Sequence, residues 1–163
     1  MFREMRRARQ QTTEEEARRI LNEGTSGVLA LSGDDGYNYA VPISYALDGD
    51  KIYFHAAPSG HKIDSMRRND RVSFCVIDQD EIVPERFTTH FKSAIAFGRI
   101  RIVESDDDPE KRRGLELLMD KYSPEVSDEE RAKEIAKMRA CVVPVLDIEH
   151  LTGKMAKELV AKK

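Results

Sequence analysis

The chain has 163 residues, of which 40% are hydrophobic and 35% charged, with a formal net charge of −3. That length suits one domain with its own core, and the balance is ordinary for a fold with a densely charged surface. The slight acidity argues against a dedicated nucleic-acid binder, with the arginine-rich start (Arg3, Arg6, Arg7, Arg9) as a local exception. No apolar run approaches the roughly 20 residues that span a bilayer. The start carries charges but no apolar leader segment. The expectations are therefore no nucleic acid, no membrane and a cytoplasmic location.

Thr12 and Thr13 followed by Glu14-Glu15-Glu16 form a helix start, with a threonine cap and acids in the first turn. The spacing predicts a helix over about 13–23, with Ala17, Ile20 and Leu21 on one face and Gly24 as its stop. Ser26–Ser32 is a short apolar β-type run, and Gly33-Asp34-Asp35-Gly36 is a hairpin turn. Tyr37–Leu47 reads as the second strand. Asp48-Gly49-Asp50 then turns tightly into a third, Lys51–Ala57. Ile63–Asn69 reads as a short helix and Arg71–Asp78 as the fourth strand. Gln79–Thr89, polar and broken by Pro84, reads as a loop. Phe91–Glu104 alternates as a long strand in which Gly98 marks a bulge or a close backbone approach. Asp106-Asp107-Asp108-Pro109 caps a helix running to about Tyr122, which Ser123-Pro124 breaks. Ser127 with Glu130 three residues later opens another, ending near Ala140. The two helices make an insert over about 107–140. Cys141–Ile148 is the last strand, and Glu149–Lys163 a partly helical tail.

The first three strands have no helices between them, so the sheet is expected to be antiparallel. Five or six such strands with late helices describe a single mainly β domain over 1–163, a β-barrel decorated by helices. Cys75 and Cys141 both fall in apolar strand-like runs, where cysteine acts as a small hydrophobe.

The segment Tyr53-Phe54-His55-Ala56-Ala57-Pro58-Ser59-Gly60-His61-Lys62 carries the most chemistry. A strand-type run ends in a Pro-Ser-Gly turn, and His61 and Lys62 stand where a helix begins. Free N–H groups and the positive end of the helix dipole suit an anion there, and Lys62 adds a full charge. The same triplet also suits a solvated turn. His55, sharing a strand face with Tyr53, could donate to a ligand or be a satisfied core histidine. Val41-Pro42-Ile43-Ser44-Tyr45 is a second element. Pro42 cannot donate to a ladder, so it marks an edge or bulge whose free backbone groups could meet a planar ligand or merely block pairing. Lys92-Ser93 on the long strand is a third. His55 and His61 lack any partner at ligand spacing, so no metal site is expected. There is no GxGxxG and no P-loop, and no orienting acid for a nucleophile. No catalytic residue is assigned.

In this order the stretches resemble the FMN-binding split-barrel superfamily, that of pyridoxamine 5′-phosphate oxidase, and within it the nitroimidazole-resistance proteins. The resemblance runs from about Thr13 to Lys154. It rests on Gly27-Val28-Leu29-Ala30, on Val41–Tyr45, on Ile52–Lys62 continuing to Asn69, and on Ser93–Gly98, with Ile148–Lys154 as a similar ending. It implies a six-stranded antiparallel split β-barrel, a homodimer, and FMN in clefts between the subunits. By position, His61 and Lys62 match the basic pair that holds the FMN phosphate. His55 and Ala56 match strand-end positions beside the phosphate and ribityl chain. Val41, Pro42, Ile43 and Ser44 would lie along the isoalloxazine edge, and Ser93 would reach the flavin from the long strand. The implied activity is that of an FMN-dependent oxidoreductase, taking electrons from NAD(P)H to a small nitroaromatic or nitroimidazole-like acceptor. The departures tell against vitamin B6 oxidation: the tail lacks the arginine–histidine signature of true pyridoxamine phosphate oxidases, and Ala40 and His61 stand where those have arginine. The alternatives are a flavin carrier without turnover and a haem-binding split barrel, with an iron ligand among His55, His61, His90 and His150. Lys154 could serve a second subunit's site.

Overall fold

The computed structural model describes residues 1–160, the side chain of Arg139 excepted, so residues 161–163 of the expected tail lie outside the described residues. Helix α1, Glu14–Glu23, begins where the Thr13 hydroxyl accepts the Glu16 amide, and it buries Ala17, Ile20 and Leu21. The strands β1 (Gly27–Ser32), β2 (Asn38–Ile43), β3 (Ala46–Asp48) and β4 (Lys51–Tyr53) follow, then helix α2 (His61–Arg68). β5 (Arg71–Val83) and β6 (Thr88–Val103) form a long hairpin. Helices α3 (Pro109–Tyr122) and α4 (Asp128–Lys137) precede the last strand, β7 (Val143–Met155). All seven strands lie in one antiparallel sheet, in the order β2-β1-β5-β6-β7-β4-β3.

That order corrects the six-strand expectation. The apolar run Tyr37–Leu47 is two strands, because Tyr45 turns inward and is fully buried, its hydroxyl donating to the Leu21 carbonyl at 2.5 Å. β2 and β3 therefore occupy opposite edges of the sheet, joined by only Ser44 and Tyr45. Three Cα steps of about 3.8 Å cover at most about 11 Å, so the sheet must curl until its edges nearly meet. No β2–β3 ladder forms among the described residues, and the barrel stays open at this seam. Leu29, Phe74, Val76, Ala94, Ala96 and Leu146 fill its interior with the apolar face of α1. α3 covers a second cluster of Tyr53, Val103, Leu115, Val143 and Val145.

Two other segments differ from their sequence reading. Gln79–Val83 and Thr88–Thr89 are paired strand, carrying the β5–β6 hairpin outward past a bulge at Ile77/Gln79. Glu149–Met155 continue β7, and among the described residues of the tail Lys157–Leu159 form a 3₁₀ turn. Gly98 sits at a register shift between β6 and β7.

Charged side chains pair across these elements. Glu110 accepts from Arg101 at 2.5 and 2.8 Å and from Lys51 at 2.8 Å, and Arg101 also reaches Asp147 at 2.8 Å. Arg101 first, with Lys51, holds the Glu110 carboxyl down to about 2. Arg19 joins Glu16, Glu23 and Asp78, and with Lys92 holds Glu16 down to about 2. No helix among the described residues is long and apolar enough to cross a membrane.

Candidate functional site

β4 ends at Tyr53, but its backbone keeps touching the far side of the sheet. Phe54 N–H donates to Pro144 C=O at 2.9 Å, and Ala56 and Val142 exchange both backbone bonds at 3.0 and 2.9 Å. This anchoring buries Phe54 and Ala56 and leaves His55 between them facing outward and exposed. The chain then turns through Pro58-Ser59-Gly60. Gly60 has a φ of +114°, and a Cβ placed there would meet nothing within 4 Å. Such a backbone belongs to glycine.

α2 begins at the next residue, with no side chain capping its N-terminus. Its first amides and dipole are thus open to an anion. Lys62 is half-buried and makes no hydrogen bond or ion pair among the described residues. It is still close enough to matter to its neighbour: burial lowers the pKa of His55, and the Lys62 charge lowers it further.

The structure gives His61 partners that the sequence did not announce. Its ring stacks on Tyr39 of β2 at 4.1 Å between centroids and 10° between planes. Its Nε2 lies 3.5 Å from Asp34, whose carboxylate is also bound by Arg68 at 2.7 Å. Arg68 offsets Asp34, and Asp64 in the first turn of α2 is a further acid beside the cradle. The stack also ties the start of α2 to Tyr39 on the β2 edge, the strand that carries Val41, Pro42 and Ile43 with Ser44 just beyond it. Pro42 pairs with Val28, and β2 is indeed a sheet edge, with Val41 and Ile43 leaning on the core and Pro42 and Ser44 exposed. An edge strand presents a row of unpaired backbone groups.

Ser93 stands apart. It lies on β6 opposite Ile77 and Lys154, three strands from β2, about 14 Å by ordinary strand spacing. Since Ala94 and Ala96 face the core, alternation puts Ser93 on the outer face, with Ile95 and Phe97. That face also carries exposed Val28 and Ile77 and half-buried Cys75. Nor do the remaining histidines converge on a common point. His90 is on the outer hairpin, 3.7 Å from Glu81, and His150 is on β7, stacked on Phe2 at 4.6 Å. Among the described residues no group of three His, Cys, Asp or Glu side chains could hold a metal.

A groove of about 440 Å³ opens beside the cradle, between the α3–α4 insert and the strand ends, where Ser44 and His55 form its sheet-side wall. The insert is fixed there by Tyr122. Its hydroxyl accepts the Tyr45 N–H at 2.9 Å and lies 2.6 Å from Thr25 C=O and 2.8 Å from Tyr45 C=O. Lys121 adds a bond to Gly24 C=O at 2.6 Å and sits 4.0 Å over the Tyr45 ring. Sequence reasoning left these helix residues out. The one signal was the clustering of Leu115, Leu118, Met119 and Tyr122 on a helix otherwise rich in charge.

Known proteins share this fold. A conserved hypothetical protein of Mycobacterium tuberculosis, Rv2991, superposes with a TM-score of 0.79 at 21% identity, covering 98% of this chain and 96% of that one. A candidate 5-nitroimidazole antibiotic resistance protein of Bacteroides thetaiotaomicron gives 0.72 at 22% identity over 88% and 84%. A FAD-binding protein of Mesorhizobium loti gives 0.61 at 25% identity over 90% and 96%. In sequence, an uncharacterized protein of Rhizobium meliloti, RA0666, is 35% identical over 85 residues, 52% of this chain and 51% of that one, so the match spans about half of that relative's length. The family model described as pyridoxamine 5′-phosphate oxidase matches residues 13–155, from the first helix cap to the end of β7, and the chain belongs to that family.

Proposed function

We propose that the chain is an FMN-dependent oxidoreductase, and that the uncapped start of α2 with its unpaired Lys62 holds the FMN phosphate. That lysine is the observation that supports the reading most directly. A half-buried cation without a partner, at the positive end of a helix and beside a glycine turn with empty space, matches a phosphate in charge and in donor geometry. When bound, FMN would supply the redox chemistry itself. The protein's part is placement. Lys62 and the first amides of α2 fix one end, the Tyr39–His61 stack braces the turn, and the free backbone edge of β2 offers donors and acceptors to a flat ring. The reading takes NAD(P)H as the electron donor and a small organic acceptor of the nitroaromatic or nitroimidazole kind. The name of the Bacteroides relative supports that acceptor class. Pyridoxamine phosphate oxidation is not proposed, because the ending His150–Lys154 lacks the family's arginine–histidine signature.

We assign the working form as a homodimer with FMN between its subunits. One copy cannot bring Ser93 to the β2 edge, whereas the uncovered outer face bearing Val28, Cys75, Ile77 and Ser93 suits a second copy. A single sedimenting species of monomer mass would remove this assignment.

Replacing Lys62 with Ala should weaken FMN at least about tenfold while changing riboflavin little, because only FMN carries the phosphate. Equal losses for both ligands would remove the phosphate assignment. Flavin that no nicotinamide reduces would leave a carrier, and a haem spectrum in place of flavin would overturn the reading.

A further inference from the structure

The groove beside the cradle has a chemistry of its own. Its insert-side wall is apolar, built from Leu115, Leu118, Met119 and Met138. Methionine thioethers adapt to irregular shapes and pack favourably against aromatic rings. Its volume of about 440 Å³ falls within the range of small-molecule sites, about 300–1,000 Å³. The sheet-side wall is formed by Ser44 and His55, which flank the β2 edge and the turn into α2, so anything in the groove touches both parts of the proposed cofactor site.

Charge decides what fits. No lysine or arginine lines the groove among the described residues. Its one carboxylate, Glu134, is already paired with Lys137 at 2.8 Å, and the Tyr122 hydroxyl is taken up by Tyr45 and Thr25. An anion entering would lose water and find no countercharge in the walls, and a cation would have to compete with Lys137. What remains for hydrogen bonding is the Ser44 hydroxyl, the Ser123 hydroxyl and the His55 ring, none of which makes a side-chain hydrogen bond among the described residues. These suit one or two neutral polar substituents on a flat apolar body.

We propose, resting on the oxidoreductase reading above, that this groove is the acceptor site and selects an uncharged aromatic molecule with a hydrogen-bond-accepting substituent. The α3–α4 insert is then the specificity element of the enzyme. The cofactor cradle and the acceptor groove share only Ser44 and His55, so substitutions elsewhere in each act separately.

The test uses the full chain and two probes with the same nitroaromatic frame, neutral 4-nitrotoluene and anionic 4-nitrobenzoate, with binding followed by ligand-detected NMR in the absence and presence of FMN. The neutral probe should bind saturably, and the anion at least about tenfold more weakly. Met119→Lys and Met138→Lys, whose parent side chains are only half-buried, should each abolish that preference or the binding itself, with FMN affinity unchanged. Met119→Leu should retain binding, and the melting temperature of each variant reports folding. Equal binding of the two probes, or undiminished neutral-probe binding in both lysine variants, overturns the proposal. Loss of FMN binding in the lysine variants also overturns it, since the groove would then belong to the cofactor. If the neutral probe binds as expected while FMN does not bind at all, the groove assignment stands and the flavin reading fails.

Discussion

At Gly98, in the middle of β6, a side-chain carbon would stand 2.0 Å from the carbonyl oxygen of Asp147 on β7. At Gly60, on the turn into α2, the same carbon would meet nothing within 4 Å, and glycine is required by a φ of +114° instead. The first region is closed: two backbones touch, and the surrounding charges of Arg101, Glu110, Lys51 and Asp147 are all paired. The second is bare: a helix start lacks a side-chain cap, Lys62 makes no hydrogen bond or ion pair among the described residues, and the space beside the Gly60 backbone is empty. In a fold that pairs so many of its charges, an unpaired one in a half-buried position is the better guide to function. Paired charges measure stability, and unpaired ones measure what is missing.

Substitutions sharpen that contrast. Gly98→Ala should cost the most, about 3 kcal/mol or more, because the obstacle is backbone and cannot swing aside. Thermal denaturation would register it as a melting point lower by about 6–12 °C. Gly60→Ala should cost about 2 kcal/mol, from backbone strain alone, and should weaken FMN binding as the turn relaxes. A loss at Gly60 as large as at Gly98 would mean that the turn is packed rather than open. Tyr122→Phe strips the acceptor from the Tyr45 N–H and should cost about 1.5 kcal/mol in urea unfolding, although the ring itself stays.

The smallest effect belongs to acid. Glu16 and Glu110 are held at about 2, well below their ordinary 4.5, by Arg19 and Arg101 respectively. A carboxylate depressed in the folded state contributes stability that is complete above 4.5 and fades as pH falls toward 2. Solvent screening at these partly exposed sites reduces each contribution to about 1 kcal/mol. Urea midpoints measured from pH 6 down to pH 2.5 should therefore decline mainly below 4.5. Glu110→Gln should flatten part of that decline while leaving Lys62-dependent FMN binding alone.

The parts of this fold legible in the sequence were those set by neighbours in the chain. Thr13, Asp108 and Ser127 cap helices because their side-chain oxygens reach amides two or three residues on. Gly98 announced a close approach and Pro42 an edge, since each residue forbids the alternative. The glycine turn into α2 was legible for the same reason. Long-range closure was not. Nothing in the run Val41–Leu47 says that Tyr45 will leave the ladder, because that depends on a carbonyl at Leu21 and a hydroxyl at Tyr122. The polar stretches Gln79–Thr89 and Glu149–Met155 hid strands, since one face of each meets solvent and their composition resembles loop. The Tyr39–His61 stack and the groove wall of Met119 and Met138 needed tertiary neighbours to be seen at all.

The Ser44–Tyr45 link gives the helical insert a role that its position in the chain disguises. A pair of helices placed between the sixth and seventh strands looks like a removable ornament on a barrel. Yet the last turn of α3 supplies the hydroxyl that accepts the Tyr45 N–H and the ammonium that donates to the Gly24 carbonyl, so it is the clasp beside the gap between β2 and β3. A shortened relative lacking these helices would need another clasp at the seam, or it would splay. The same turn sets how far Ser44 stands from the opposite wall. Width of the groove and closure of the barrel are therefore one inherited dimension, and a lineage cannot retune one without paying attention to the other.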